Sequence, residues 1–339
     1  MFNKFYSMFA GDIAIDLGTA NTIIWVKGEG VVLNEPSIVA KKVHDETIIA
    51  IGNEAKEMLG RTHSGIEIVR PLKDGTIADY RMTDAMIQGF MRKIKRSRIS
   101  RPRIVICIPY GVTDVEQRSV KESAEHANAS EIYLISEPMA AAIGIGIDVT
   151  KPIGNMIVDI GGGTTEIAVI SLNGIGAIET IKVAGDEQTD AIVEWFKNQH
   201  KLGIGERTAE NIKCSVGSAI RTSGENISVK GRDLVTGLPK TIEISTDEIR
   251  QALAETVFQI TTAIKKALDK TPPEHAADII DFGIILTGGG ALLKNLDEHI
   301  RNKTGIPVHV AEDPLLSVVK GTGIVLEDIK KYKEVLITP

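Results

Sequence analysis

Apolar and polar positions follow two rhythms along the chain. Short apolar runs bounded by glycine or proline read as strands; longer stretches with apolar residues every three or four positions read as helices. Asp12 to Asp16 (DIAID) and Asn21 to Val26 (NTIIWV) predict two strands around a tight LGTA turn. Arg103 to Pro109 (RIVICIP) predicts a buried strand, followed by a helix that a Thr113–Glu116 capping box opens. Met156 to Asp159 and Glu166 to Ile170 predict two more strands, around the turn Ile160 to Thr165 (IGGGTT). Ser245 and Glu248 cap a long helix running to about Lys270, ahead of Pro272 and Pro273. Ile284 to Leu286 predicts a short strand entering Thr287-Gly288-Gly289-Gly290. Such alternation places the chain in the α/β class.

One pattern occurs twice. Ile13-Ala-Ile-Asp16-Leu-Gly18-Thr19 echoes Ile157-Val-Asp159-Ile-Gly161-Gly-Gly163-Thr164. Each copy is an apolar strand, a terminal aspartate, a Gly/Thr turn and a returning strand. Two copies predict two similar subdomains facing one another; a chance repeat of a glycine hairpin is the alternative. No short-period solenoid repeat is visible.

Composition narrows the class. The 339 residues suffice for two or more domains at roughly 150 residues each. A net charge of −6 argues against a general nucleic-acid binder. The two cysteines are Cys107 and Cys214. Cys107 lies in an apolar run and reads as a small buried hydrophobe. With no CxxC pair, a metal cluster or disulfide framework is disfavoured, which fits a reducing cytoplasm. No apolar stretch reaches the roughly 18 residues that span a bilayer. The start is not a signal peptide, because Asn3, Lys4 and Ser7 interrupt its apolar run and Asp12 follows.

The two turns suggest their own chemistry. Glycine permits positive φ and lets backbone N–H groups approach an anion, and consecutive N–H groups form an anion-binding nest. An aspartate beside such a nest repels bare phosphate but suits Mg²⁺, a hard cation that takes oxygen and water ligands. Two Gly/Thr nests with two aspartates therefore imply a phosphate chain with Mg²⁺ between them. The dipeptide Gly-Lys is absent, so there is no P-loop, and no GxGxxG joins a first strand to a helix.

A family resemblance makes this specific. Asp16-Leu-Gly-Thr-Ala-Asn-Thr22 resembles the first phosphate loop of the actin superfamily, and Asp159-Ile-Gly-Gly-Gly-Thr-Thr-Glu166 resembles the second. Leu286-Thr-Gly-Gly-Gly-Ala-Leu-Leu293 resembles its adenosine-binding turn. Within that superfamily the chain most resembles the MreB family of bacterial actins. Ser136-Glu-Pro-Met-Ala-Ala-Ala-Ile-Gly144, Glu35-Pro-Ser-Ile-Val39, Met58-Leu-Gly-Arg-Thr62, Arg70-Pro-Leu-Lys-Asp-Gly75 and Ile204-Gly-Glu-Arg-Thr-Ala-Glu210 carry the likeness, which runs from about Asp12 to about Val325.

The resemblance implies an actin-like fold: two related RNase H-like lobes of two subdomains each around a central nucleotide cleft. Residues 1–32, 67–144 and 315–339 would form subdomain IA and 33–66 IB; 145–181 and 246–314 would form IIA and 182–245 IIB. It implies ATP or ADP with Mg²⁺, held by Asp16 and Asp159 through waters. The backbones of Gly18, Thr19, Ala20 and Asn21, and of Gly161, Gly162, Gly163, Thr164 and Thr165, would cradle phosphates. Gly288, Gly289 and Gly290 would let the chain pass close to the adenosine. Glu210 and Lys213 match nucleoside-contacting positions; three apart on one helix face, they also suit a plain ion pair. Glu137 and Thr164 match the residues that orient the attacking water. Glu137 could instead serve the helix macrodipole, and Thr164 could be only a turn hydroxyl. The implied activity is slow ATP hydrolysis that times assembly of head-to-tail, paired filaments, which organise cell-wall synthesis and cell shape. The implied location is the cytoplasm, at the inner face of the membrane, with elongation partners such as RodZ and no nucleic acid.

Phe2, Phe5, Tyr6 and Phe9 recur at helical spacing, as in an amphipathic helix lying in a membrane interface; a terminus docked on its own domain is the alternative. The basic run Phe90 to Arg103 suits anionic head groups or a solvated face. Only Ile99 stands where MreB proteins often carry a hydrophobic loop. Three other readings share the superfamily or its cleft. A small-molecule kinase would need a further substrate-binding elaboration, and a heat-shock chaperone a peptide-binding domain. A plasmid-segregating actin would bind a DNA adaptor and not lipid.

Overall fold

The computed structural model describes residues 11–94, 101–222 and 224–337. The aromatic positions Phe2, Phe5, Tyr6 and Phe9 lie outside the described residues, as does the middle of the basic run, including Ile99. The chain divides into two units, Met1–Pro152 with Ile170–Ile175 and Leu315–Pro339, and Ile153–Val169 with Gly176–Pro314.

The first unit is built on a six-stranded sheet. Its order is Leu336–Ile337, Glu131–Ser136, Arg103–Ile108, Ile13–Leu17, Asn21–Val26 and Gly30–Pro36. The last three form an antiparallel meander. Ile13–Leu17 and Arg103–Ile108 are parallel, as are Arg103–Ile108 and Glu131–Ser136. Arg103–Ile108 is covered on both faces, with Ile104 to Cys107 fully buried, which explains its unbroken apolar run. The helix Tyr80–Lys93 starts where Asp79 accepts a hydrogen bond from Met82 N at 3.0 Å. It buries Met82, Met86 and Phe90, each worth roughly 1.5–3 kcal/mol.

The second unit contains a five-stranded sheet in the order Gly174–Ile181, Thr165–Ser171, Asn155–Ile160, Ile284–Thr287 and Val308–Val310. Three sequential strands again lie side by side, then two parallel strands join the first of them. In the first sheet Asp16 stands opposite Cys107 on the parallel neighbour; in the second Asp159 stands opposite Thr287. The sequence echo is therefore one topology used twice, with an aspartate at the same place in each.

Both predicted helix starts are present. Thr113 N donates to Glu116 Oε2 at 2.9 Å and Glu116 N to Thr113 Oγ1 at 3.3 Å, opening the helix Asp114–His126. Ser245 N donates to Glu248 Oε1 at 3.4 Å ahead of the helix Thr246–Asp269. Within the first unit, the helices Glu137–Ile145 and Ser317–Glu327 touch backbone to backbone. A methyl on Gly144 would lie 1.9 Å from the Ser317 carbonyl oxygen, and one on Gly321 would lie 1.8 Å from that of Ala140. This crossing fixes the helix whose first residue is Glu137.

Candidate functional site

In the first unit the turn after Asp16 is stitched from behind. Ser37 Oγ donates to the Gly18 carbonyl oxygen at 2.6 Å and lies 2.9 Å from Thr22 Oγ1, while Ser37 N donates to the Ala20 carbonyl at 2.9 Å. Gly75 N donates to Thr19 Oγ1 at 3.4 Å. Asn21 Nδ2 donates to Asn34 Oδ1 at 3.2 Å. A side chain at Gly18 would begin 2.8 Å from the Asn21 carbonyl oxygen, so the turn closes this tightly only with glycine. The carbonyls and side chains of Gly18 to Asn21 are thus partly engaged by the fold. The segments Glu35 to Val39 and Arg70 to Gly75, read above only as family likeness, supply Ser37 and Gly75.

Beneath that turn Asp16, Cys107 and Glu137 come together, with their ligand atoms all within 4.8 Å of one another. Cys107 Sγ donates to Asp16 Oδ1 at 3.5 Å. Sequence reasoning placed Cys107 correctly in the core but missed this contact, because the two residues meet only through the parallel register. Glu137 stands at the first position of its helix, after Ser136 and before Pro138. Pro138 is well placed there, since its missing N–H needs no partner in a first turn.

In the second unit Asp159 is buried. Burial pushes its carboxyl up to about 6 from the ordinary 3.8. A carboxylate so desolvated is uncomfortable without a cation, and a divalent ion beside it reverses that penalty. The turn after it closes with Gly161 N donating to the Thr164 carbonyl at 2.9 Å. Thr164 and Thr165 are buried, and Thr165 Oγ1 donates to the Val183 carbonyl at 2.7 Å. The helix Gly185–His200 starts against this turn: Gly185 N donates to the Gly161 carbonyl at 3.2 Å and Asp186 N to the Gly162 carbonyl at 2.7 Å.

Glu210 and Lys213 share a face of the helix Glu206–Val216 and form the ion pair their spacing allows, at 2.7 Å. Lys213 Nζ also donates to the Gly185 carbonyl at 2.7 Å and to Thr189 Oγ1 at 3.0 Å. Thr189 Oγ1 lies 2.5 Å from Glu210 Oε2. Burial pushes the Glu210 carboxyl up, but the Lys213 ammonium and the hydrogen bonds from Lys213, Thr189 and Cys214 outweigh it and hold the group below its ordinary value. Gly288, at φ +80°, crosses close to Asp159 and Ile160, and a side chain at Gly290 would begin 2.2 Å from Ile160 Cγ2. Gly289 is exposed. The second unit thus gathers Asp159, the 161–165 turn, the Glu210–Lys213 pair and the 288–290 turn near the C-terminal ends of its inner strands Asn155–Ile160 and Ile284–Thr287. Thr189 and Gly185 carry no sequence motif and were not anticipated.

Taken by itself, each unit sets a hard carboxylate at a strand end before a turn of small residues whose tight approach a Cβ would block, a donor set whose chemistry suits a hard cation and phosphate. Residues 10–334 match the family model described as MreB/Mbl protein. The chain is 49% identical over 326 residues to the cell shape-determining protein Mbl of Bacillus subtilis (strain 168), covering 96% of this chain and 98% of that protein. It is 48% identical over 339 residues to the cell shape-determining protein MreB of Escherichia coli (strain K12), covering 98% of each. Among solved structures, MreB 5 of Spiroplasma citri bound to AMPPNP matches with a TM-score of 0.91 at 38% identity, over 96% of this chain and 98% of that one.

Proposed function

Because the chain belongs to the MreB/Mbl family and has an actin-like fold, we propose that it binds and slowly hydrolyses ATP and polymerises into membrane-associated filaments. These filaments organise cell-wall synthesis and cell shape. The observation that carries the reading is the repeated construction of the two sheets. Asp16 precedes the Gly18–Asn21 turn, Asp159 precedes the Gly161–Thr165 turn, and each aspartate stands opposite the parallel neighbour strand. The relatives' names and the AMPPNP carried by the Spiroplasma protein support it. Each unit would divide in two at the subdomain boundaries given above.

In this reading the backbone N–H groups of both turns bind phosphate oxygens. Asp16 and Asp159 would hold Mg²⁺ through water, and the ion would supply charge to offset the phosphates. Glu210 and Lys213 mark the nucleoside side, and the 288–290 turn lets the chain approach adenosine. Hydrolysis of the γ-phosphate passes through a loose transition state, so positioning dominates. Glu137 and Thr164 orient the attacking water, and the small number of groups committed to chemistry fits a slow reaction. Head-to-tail contacts between unlike ends do not close, and so grow a filament. Weak single anchors at residues 1–10 then become strong collectively, at the inner face of the cytoplasmic membrane, with cell-elongation proteins such as RodZ as partners.

Electron microscopy and light scattering with ATP, ADP and anionic liposomes test this. Filaments are expected with nucleotide, and recruited to liposomes. A protein that stays monomeric throughout, while hydrolysing ATP in response to a small metabolite, would transfer the chain to the kinase class.

A further inference from the structure

We infer that Ser37 is a positioning residue for the phosphate chain: it holds two carbonyls behind the turn after Asp16, and so aims the Thr19 and Asn21 N–H groups at phosphate oxygens. The inference rests on the nucleotide-binding reading above.

In a planar trans peptide the N–H points opposite to the carbonyl it shares the plane with. A turn can therefore offer N–H groups to an anion only while its carbonyls face the other way. Ser37 takes two of them, with Oγ on the Gly18 carbonyl at 2.6 Å and N on the Ala20 carbonyl at 2.9 Å. The N–H groups of Thr19 and Asn21, which share those peptides, then point away from Ser37. Without the hydroxyl the Gly18–Thr19 peptide can turn over, because Gly18 carries no side chain to resist it. A carbonyl oxygen would then face the phosphate where a donor is needed.

The direction of the hydrogen bonds follows from the donors present. Ser37 has one hydroxyl proton, and a carbonyl can only accept. Ser37 therefore donates to Gly18, and Thr22 Oγ1, 2.9 Å away, donates to Ser37. Both residues are buried, where a hydroxyl is costly unless it is hydrogen-bonded. Filling space does not require hydroxyls there; holding a carbonyl does.

A side chain can aim another group only when its own place is locked. Beside Ser37, the Ile38 carbonyl accepts from Gly52 N at 2.9 Å. On the other side, Glu35 Oε2 accepts from Asn53 N at 3.1 Å and from Lys93 Nζ at 2.7 Å. The second unit reaches the same arrangement with other parts. Gly185 N and Asp186 N take the Gly161 and Gly162 carbonyls, which turns the N–H groups of Gly162 and Gly163 away from that helix start. There the holding donors are main-chain groups; in the first turn one is a side chain, and so open to substitution.

Isothermal titration calorimetry with AMPPNP tests the role. Ser37→Ala should raise Kd about tenfold with the stoichiometry unchanged, whereas a purely structural loss would lower the stoichiometry and leave Kd alone. Ser37→Cys, near in size but a weaker donor, should raise Kd about threefold, and serves if Ser37→Ala does not fold. Ser37→Thr, which returns the hydroxyl, should stay within about twofold of wild type. A Kd within about twofold of wild type in both Ser37→Ala and Ser37→Cys overturns the inference. So does a Ser37→Thr variant that binds as weakly as Ser37→Ala, since packing and not the hydroxyl would then be the cause. Failure of wild type to bind AMPPNP at all would instead sink the nucleotide reading on which the inference rests.

Discussion

A side chain at Gly288 would begin 2.4 Å from Asp159 Oδ1 and 2.3 Å from the Ile160 carbonyl oxygen. The turn proposed for the adenosine side therefore leans directly on the carboxylate proposed for the metal. Gly288→Ala combines a forbidden φ of +80° with two hard contacts. Gly60→Ala meets the strained φ alone, at +72° with nothing within 4 Å, and isolates that cost of about 1–2 kcal/mol. Gly288→Ala should cost about 1–3 kcal/mol more and abolish ADP binding. Chemical denaturation of both variants checks this; equal losses of stability would remove the contact with Asp159 as the constraint.

Glu137→Ala should keep ATP binding and lose catalysis. The side chain begins a helix that the Gly144–Gly321 crossing holds in place, so its removal leaves the backbone undisturbed. Single-turnover phosphate release should fall about a hundredfold with Kd for ATP nearly unchanged. Thr164→Val should fall in the same direction. Unchanged release in Glu137→Ala would remove the water-orienting role.

Acid should loosen one hairpin before the rest. Asp233 accepts hydrogen bonds from Thr236 N at 3.0 Å, Lys240 Nζ at 3.0 Å and Val235 N at 2.8 Å. The Thr236 hydrogen bond leads these in holding its carboxyl at about 2, below the ordinary 3.8. A depressed carboxyl stabilises the fold above its unfolded pKa, and that contribution is lost as pH falls through the folded value. The apex Leu234–Leu238 should therefore hold above about pH 4 and open progressively towards pH 2. Amide exchange at Val235 and Thr236 reports this. Asp233→Ala, which removes the acceptor, should show fast exchange at neutral pH already, and protection independent of Asp233 would contradict the assignment.

Removing residues 1–10 should weaken sedimentation with anionic liposomes while ATP binding survives. Each Phe can contribute at most roughly 1.5–3 kcal/mol in full burial, so the loss should be larger for filaments than for monomers. Equal co-sedimentation of truncated and complete proteins would shift attention to the basic run Arg92 to Arg103. High salt should then abolish binding.

The Gly/Thr turns, both capped helices and, to within a residue at each end, the strands around those turns were legible because each is encoded locally. Glycine, aspartate and threonine at fixed offsets specify a turn, and Thr113 with Glu116 specifies a helix start within four residues. Cys107 and Thr189 were not legible as site residues. Cys107 meets Asp16 across 91 positions of sequence, and Thr189 reaches Glu210 across 21. Only strand register and helix packing bring such pairs together, and neither leaves a trace in composition or period. The Glu210–Lys213 spacing did announce an ion pair, but not that Lys213 has all its donors engaged.

The backbone contact between Gly144 and Gly321 bears on how this chain can vary over time. The first methyl at either position has nowhere to go, because the obstacle is a main-chain carbonyl on the opposite helix and not a side chain that can turn aside. Neither site can be rescued by a second change at the other, since glycine is already the smallest residue. Any lineage that loses one of them must move a whole helix, and Glu137 with it. In a deep mutational scan these two positions should therefore stand as isolated dead ends, intolerant even of alanine.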